Sequence, residues 1–281
     1  MSDDEYLVRL GQADRITLTG RLLRHCHRPI LAAVLASAAT WGALVPVLWS
    51  LSGLNLAALA VPGPAPALAV RLSVFFLGAG ALGSGLLLSL NHLIDRCLEG
   101  EAPDGWEETV VLLLAPWSRG LRLLAPLGVW LVLAAAWGAA LGLAWGAAQG
   151  LASPPPYAGL VPVLAGALVF APLHNCALWN LVHLEHEEPG LWAAVALPFR
   201  VMGHSRVLWR KTLGLGLLVC LPGLGVTAAA LSPLWTGFFL SGLVFLLGVA
   251  LLAPGLTFLG CHFALAYRQA LANYRLNNRG A

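Results

Sequence analysis

The densest group of side chains that could bind a metal ion lies at residues 183–187, with the sequence His-Leu-Glu-His-Glu. His183 and His186 are three residues apart, so on a helix both rings project from one face, and Glu187 lies within the same turn. This arrangement predicts a metal site in a metal-dependent membrane enzyme. The same residues also suit a helix end that leaves a bilayer and becomes solvated, and their spacing matches neither HExxH nor its inverted variants.

Three further polar side chains lie inside apolar runs, namely His174, Cys176 and His262. Ionisable groups in such runs are candidates for function, because placing them within a membrane is costly. A structural explanation of His174 is a neutral imidazole hydrogen-bonded to carbonyls that Pro172 leaves without a donor. No cofactor is predicted.

Acidic residues are absent from the centre of every long apolar run, and no serine has the GxSxG spacing of a nucleophile elbow. A proton-coupled carrier usually needs a buried carboxylate. The sequence therefore disfavours ion-driven transport and favours a protein that is not an enzyme.

Basic residues gather in two segments between apolar runs, as Arg119, Arg200, Arg206, Arg210 and Lys211. A cation near a charged leaflet adds about 1 kcal/mol of attraction. We therefore expect these side chains to contact anionic lipid headgroups or an acidic partner. Ordinary anchoring of cytoplasmic loops by positive charge explains the same residues.

The composition predicts the class of structure that positions these groups. The chain has 281 residues, of which 59% are hydrophobic and 10% charged. Soluble proteins carry about a quarter charged residues, so the sequence predicts an all-α integral membrane protein with one domain, residues 1–281. The same values exclude a disordered chain, a nucleic-acid-binding module and a disulfide scaffold. The five cysteines include no CxxC pair and are expected to be free, buried thiols.

Six apolar runs are each long enough to cross a hydrocarbon core as a helix. The predicted spans are Ile30 to Leu51, Leu72 to Leu93, Leu124 to Ala148, Leu160 to Leu184, Thr212 to Leu231 and Gly237 to Tyr267. Alternate connections contain no charge, and almost all charged residues lie in the other connections and the two ends of the chain. Because positive loops stay cytoplasmic, we expect a bacterial-type inner membrane location with both termini in the cytoplasm.

The charged connections are too apolar for simple turns. Segments 106–123 and 191–211 each mix charges with apolar residues, as does Glu5 to Arg28. Each predicts an amphipathic helix on the membrane surface, with breaks at Pro116 and Pro198. The chain thus resolves into three repeats of one surface helix and two spans, at about residues 1–99, 100–188 and 189–281.

The third predicted span has glycine at every fourth residue, at Gly138, Gly142, Gly146 and Gly150. Such a row lets another helix approach closely. The partner helix belongs either to the same chain or to a second subunit.

Several short motifs in the third repeat and just before it support a resemblance to a known family. They are Leu184-Glu185, Pro198-Phe199-Arg200, His204-Ser205-Arg206, the run from Trp209 to Gly214 and Ala266-Tyr267-Arg268. In these the chain resembles the membrane domain of some bacterial glycerophosphodiester phosphodiesterases, which also occurs alone in six-helix membrane proteins. The chain lacks their soluble phosphodiesterase domain, so the resemblance does not imply that activity.

A competing resemblance lies in the middle repeat. The segment from Gly105 to Leu121 is similar to the inner-loop segment of ABC-2-type exporter permeases. That resemblance implies a permease subunit whose inner helix couples to a separate ATPase.

Together these observations favour a non-catalytic polytopic subunit or scaffold of a larger membrane assembly, in contact with lipid. Its expected partners are the lipid bilayer and another protein or a second copy of the chain, and no nucleic acid. The exporter permease and the metal-dependent membrane enzyme are the alternatives.

Overall fold

The structure is a computed structural model that describes residues 3–53, 65–119, 121–149, 174–182, 191–230 and 238–278. All regular structure in these residues is helical, and no strand occurs among them. In chain order the described helices are α1 (Asp3–Arg9), α2 (Gln12–Leu51), α3 (Ala65–Leu98), α4 (Trp106–Leu114), α5 (Leu121–Gln149), α6 (174–182), α7 (Leu191–His204), α8 (Arg206–Ala230) and α9 (Phe238–Asn278).

Three helical segments of the described chain are long and apolar enough to cross a membrane: Ala69–Leu98, Leu127–Ala144 and Ala250–Asn278. They overlap the predicted second, third and sixth spans. The predicted first span lies within α2, and residues 212–230 of the predicted fifth span lie within α8. Most of the predicted fourth span lies outside the described residues, as do Pro172 and residues 150–159 of the neutral connection before this span.

The two predicted proline breaks have different outcomes. At Pro116 the prediction is confirmed, because α4 ends at Leu114 and a 3₁₀ helix, Ala115–Arg119, follows. At Pro198 it is wrong, because α7 continues through the proline to His204. The break falls at Ser205, whose N–H donates to the carbonyl of Met202 and whose own carbonyl accepts the N–H of Trp209. These two bonds satisfy backbone groups on both sides of Ser205, so the break needs no proline.

The N-terminal surface segment is continuous with the first predicted span. After a short interruption at Leu10 and Gly11, α2 runs for 40 residues. One face of its first half is buried at three- and four-residue spacing, the spacing of neighbours on a helix. The buried residues are Arg15, Thr19, Leu22, Cys26, Ile30 and Ala33. This half of α2 is therefore packed against protein on a face that includes a charged side chain.

The described residues belong to two compact units. The first unit contains the described parts of Met1–Ala36, Leu90–Leu114 and Phe199–Ala281. In it α8 packs along α9, and α1 also packs against α9. The α8–α9 contact is antiparallel and close: a Cβ atom added at Gly223 would lie 2.5 Å from Cγ of Leu252 and 2.8 Å from its backbone nitrogen.

The second unit contains the described parts of Ser37–Ser89 and Ala115–Pro198. Its α3 and α5 also approach closely, since the hydroxyl of Ser73 donates to the carbonyl of Ala135 at 2.9 Å. The end of α6 packs into a core with residues of both helices. That core contains Leu88, Leu127, Leu178, Leu181 and Val182.

Candidate functional site

The metal set predicted from the sequence, His183, His186 and Glu187, lies outside the described residues. Within the described part of the chain, no group of three or more His, Cys, Asp or Glu side chains is placed to hold a metal ion. The metal site therefore stays a prediction.

The predicted intramembrane polar residues are buried and engaged by protein. In the second unit, Nε2 of His174 lies 2.7 Å from the hydroxyl oxygen of Ser84, and its ring meets the edge of Trp130 at 6.1 Å. Cys176, two residues further along α6, is fully buried. The hydroxyl of Ser84 on α3 is thus a hydrogen-bond partner of His174. From the sequence, backbone carbonyls were the expected partners.

His262 lies in the first unit and is fully buried in α9. Its Nδ1 lies 3.3 Å from the hydroxyl oxygen of Thr19, and its ring stacks on Phe258 with centroids 5.8 Å apart. The hydroxyl of Thr19 also donates to the carbonyl of Arg15 one turn earlier. His262 therefore belongs to a polar contact between α2 and α9.

The described part of the glycine row packs within the second unit. A Cβ atom on Gly138 would lie 2.6 Å from the carbonyl oxygen of Leu72 in α3. Gly142 is buried as well. The surroundings of Gly146 and Gly150 lie outside the described part. For Gly138, the neighbour is a helix of the same chain.

The predicted lipid-contacting cations are exposed where they are described. Arg200 lies on α7, and Arg206, Arg210 and Lys211 lie on the first turns of α8. The side chain of Arg119 is outside the described set. No carboxylate among the described residues lies within salt-bridge distance of these four exposed side chains.

The sequence did not predict a buried polar cluster in the first unit, centred on Arg15. This arginine is only 3% exposed. Its Nη1 donates to Oε1 of Gln269 at 2.6 Å and to the carbonyl of Leu10 at 3.4 Å. Gln269 in turn donates from Nε2 to the carbonyls of Leu10 and Val8, at 2.9 and 3.2 Å. Gln269 therefore joins the end of α1, the start of α2 and α9.

Burial lowers the pKa of the Arg15 guanidinium, and the negative charge of Asp14 opposes part of that change. An arginine nevertheless stays protonated in proteins. The first unit therefore holds a buried positive charge, and the uncharged amide of Gln269 is its main hydrogen-bond acceptor. The spacing of Arg15, Thr19, Leu22 and Cys26 on one helix face was the signal in the sequence that could have indicated this burial.

A second polar contact in the first unit joins α3 to α9. Oδ1 of Asp95 accepts hydrogen bonds from both Nε and Nη2 of Arg268, the first at 2.9 Å. Nη2 also donates to Oε1 of Glu99 at 3.3 Å. The Asp95 side chain is 7% exposed and that of Arg268 22%. This ion pair is mostly sheltered from water and fixes the end of α3 against α9.

The first unit also contains two cavities. One, of about 510 Å³, is lined by Arg21, His25, Cys26, Cys97 and Arg268, among others. The other, of about 200 Å³, lies beside Arg15 and Lys211. Both cavities have cationic side chains in their walls.

All five cysteines are free and buried, which confirms the prediction from their spacing. We expect a membrane-impermeant maleimide to modify these thiols slowly in the folded protein and completely after denaturation. A timed pulse followed by mass spectrometry counts the modified thiols. As a control, a cysteine at exposed Gly105, where an added Cβ has open space around it, should react at once. Native thiols that react as fast as that control would contradict the burial.

Comparison with known proteins finds no family model, no curated protein sequence and no solved structure that matches this chain.

Proposed function

We propose that this chain is a non-catalytic, multi-pass subunit or scaffold of a larger membrane assembly, and that its short surface helices contact lipid. It would lie in a bacterial-type inner membrane with both termini in the cytoplasm. The main support is the exposure of large apolar side chains on α4 and α7, which lack the length of a membrane span.

On α4, Trp106 is 58% exposed, Val111 66% and Leu114 60%. On α7, Trp192 is 76% exposed and Phe199 48%. Apolar rows of this kind are unfavourable in water and are typical of helices in the headgroup region, where indole rings also concentrate. The exposed cations Arg200 and Arg206 follow on the same stretch of chain and would meet lipid phosphates.

Spin labelling tests the lipid contact of α4. We expect a nitroxide at Val111 to be relaxed strongly by oxygen, which partitions into lipid, and weakly by a water-soluble nickel chelate. A nitroxide at Gly105, in the turn before α4, should show the reverse order. Equal access of the nickel chelate to both positions would contradict the surface placement of α4.

A mass measurement tests the role as a subunit. Extraction from the native membrane into lipid-preserving polymer discs should give a particle that contains more than one polypeptide. A single chain in those discs would contradict the assembly. A stoichiometric ATPase in the particle would favour the exporter permease over the scaffold.

A further inference from the structure

The 200 Å³ cavity of the first unit has both apolar and polar residues in its wall. It lies among the start of α2, the first turns of α8 and the last turns of α9. Its polar lining residues are Gln12, Arg15, Lys211, Gln269 and Asn273. At roughly 30 Å³ for each water molecule, the cavity has room for a group the size of about six or seven waters.

Arg15 brings a positive charge to this wall that the described residues leave without a paired carboxylate. The guanidinium makes the two hydrogen bonds described above, and its buried Nε has no hydrogen-bond partner. Asp14 is the nearest acid along the chain, but its carboxylate is exposed and accepts the N–H of Gly11 at 2.9 Å. Burying a cation without a paired anion is unfavourable, so an anion in the cavity would stabilise this unit.

The other lining groups suit an oxyanion with several acceptor atoms. Lys211 adds a second cation with three donor hydrogens, and Gln12 and Asn273 each carry an amide NH₂. The start of α2 also lies at this wall, and the positive end of its helix dipole favours an anion there. A phosphate group matches this set, because its oxygens can accept from a guanidinium fork and from an ammonium together.

We propose that this cavity binds a phosphate group, with Arg15 and Lys211 as its two cationic ligands. The group is either the headgroup of an anionic phospholipid or a free phosphate. The lipid source rests on the proposed function, because it requires this end of α8 to lie at the membrane surface. Binding of free phosphate does not depend on it.

Two probes in the same nonionic detergent test the site. One is inorganic phosphate and the other is a short-chain phosphatidic acid, with the diacylglycerol of the same chain length as an uncharged control. The readout is the melting temperature of the purified chain as a function of probe concentration. We expect saturable stabilisation by at least one phosphate-bearing probe and none by diacylglycerol.

A matched pair of variants separates the site from general surface charge. Lys211→Gln removes an exposed lining cation, and Arg210→Gln removes its exposed neighbour, which does not line the cavity. We expect the first to weaken binding about tenfold or more and the second to change it less than twofold. Arg15→Gln should abolish binding. If that variant fails to fold, Lys211→Gln still decides the result.

Stabilisation by phosphatidic acid alone would assign a lipid headgroup, whereas stabilisation by both probes would assign the phosphate group itself. The proposal would be overturned if neither phosphate probe bound, if diacylglycerol stabilised the protein equally, or if Lys211→Gln and Arg210→Gln weakened binding to the same extent. The proposed subunit role would be contradicted by a different result, namely the recovery of a single chain in the polymer discs.

Discussion

Replacing Asp95 with asparagine should lower the free energy of unfolding by about 3 kcal/mol, as expected when one partner of a sheltered ion pair loses its charge. Among the described residues, the substitution leaves Arg268 with only the partly exposed Glu99 as a carboxylate partner. Titration of the protein from mild micelles into a denaturing detergent, followed by circular dichroism, measures the change.

The neighbouring carboxylate provides a matched control. Glu99 contacts the same arginine at 3.3 Å, but its side chain is 42% exposed. Exposed pairs contribute about 1 kcal/mol or less, so Glu99→Gln should have a small effect. If both variants lost equal stability, shelter from water would not be what makes the Asp95 contact strong.

A double variant tests whether the two side chains act on each other. If the pair is the source of the stability, Asp95→Asn combined with Arg268→Gln should cost clearly less than the sum of the single substitutions. Fully additive losses would contradict a direct interaction between α3 and α9 at this point.

The helical class and the burial of the cysteines could be predicted from the sequence, because both follow from local composition. The break at Pro116 is also a local effect of one residue on its own helix. Pro198 shows where this reasoning fails. A proline removes only one donor, and the backbone bonds at Ser205, seven residues later, determine where the helix ends.

The polar cluster of the first unit could not be predicted in the same way. Arg15 was one of several arginines in an amphipathic segment, and a charged residue in such a segment is usually exposed. Its partner Gln269 is 254 residues away in the chain. Only the packing of α1 and α2 against α9 brings the two together, and no local pattern contains that information.

The structure shows a close approach of two helices at Gly138, one member of the glycine row, but the sequence could not show which helix lies there. Glycines spaced four residues apart show that one face of the helix lacks bulky side chains. They do not show which helix fills the groove. At Gly138 the neighbouring helix is α3. The carbonyl oxygen of Leu72 lies 2.6 Å from the position of an added Cβ, and Cδ2 of Phe76 lies 3.0 Å from it.

Replacing Gly138 with alanine should therefore destabilise the protein by about 2 kcal/mol, because the new methyl group meets the backbone of α3 and the two helices must separate. Leucine at this position should be worse. Gly128 of the same helix has no atom within 4 Å of an added Cβ, so Gly128→Ala should leave stability unchanged or raise it by up to about 1 kcal/mol through helix propensity.

Thermal unfolding in one detergent compares the two alanine variants directly. Equal melting temperatures would show that α3 and α5 are not in close contact at Gly138. If Gly138→Ala instead kept the stability of the single chain and reduced the mass of the particle in polymer discs, the glycine face would dock a second subunit. The two outcomes differ because a contact within one chain stabilises that chain against unfolding, whereas a contact between two chains stabilises only their association.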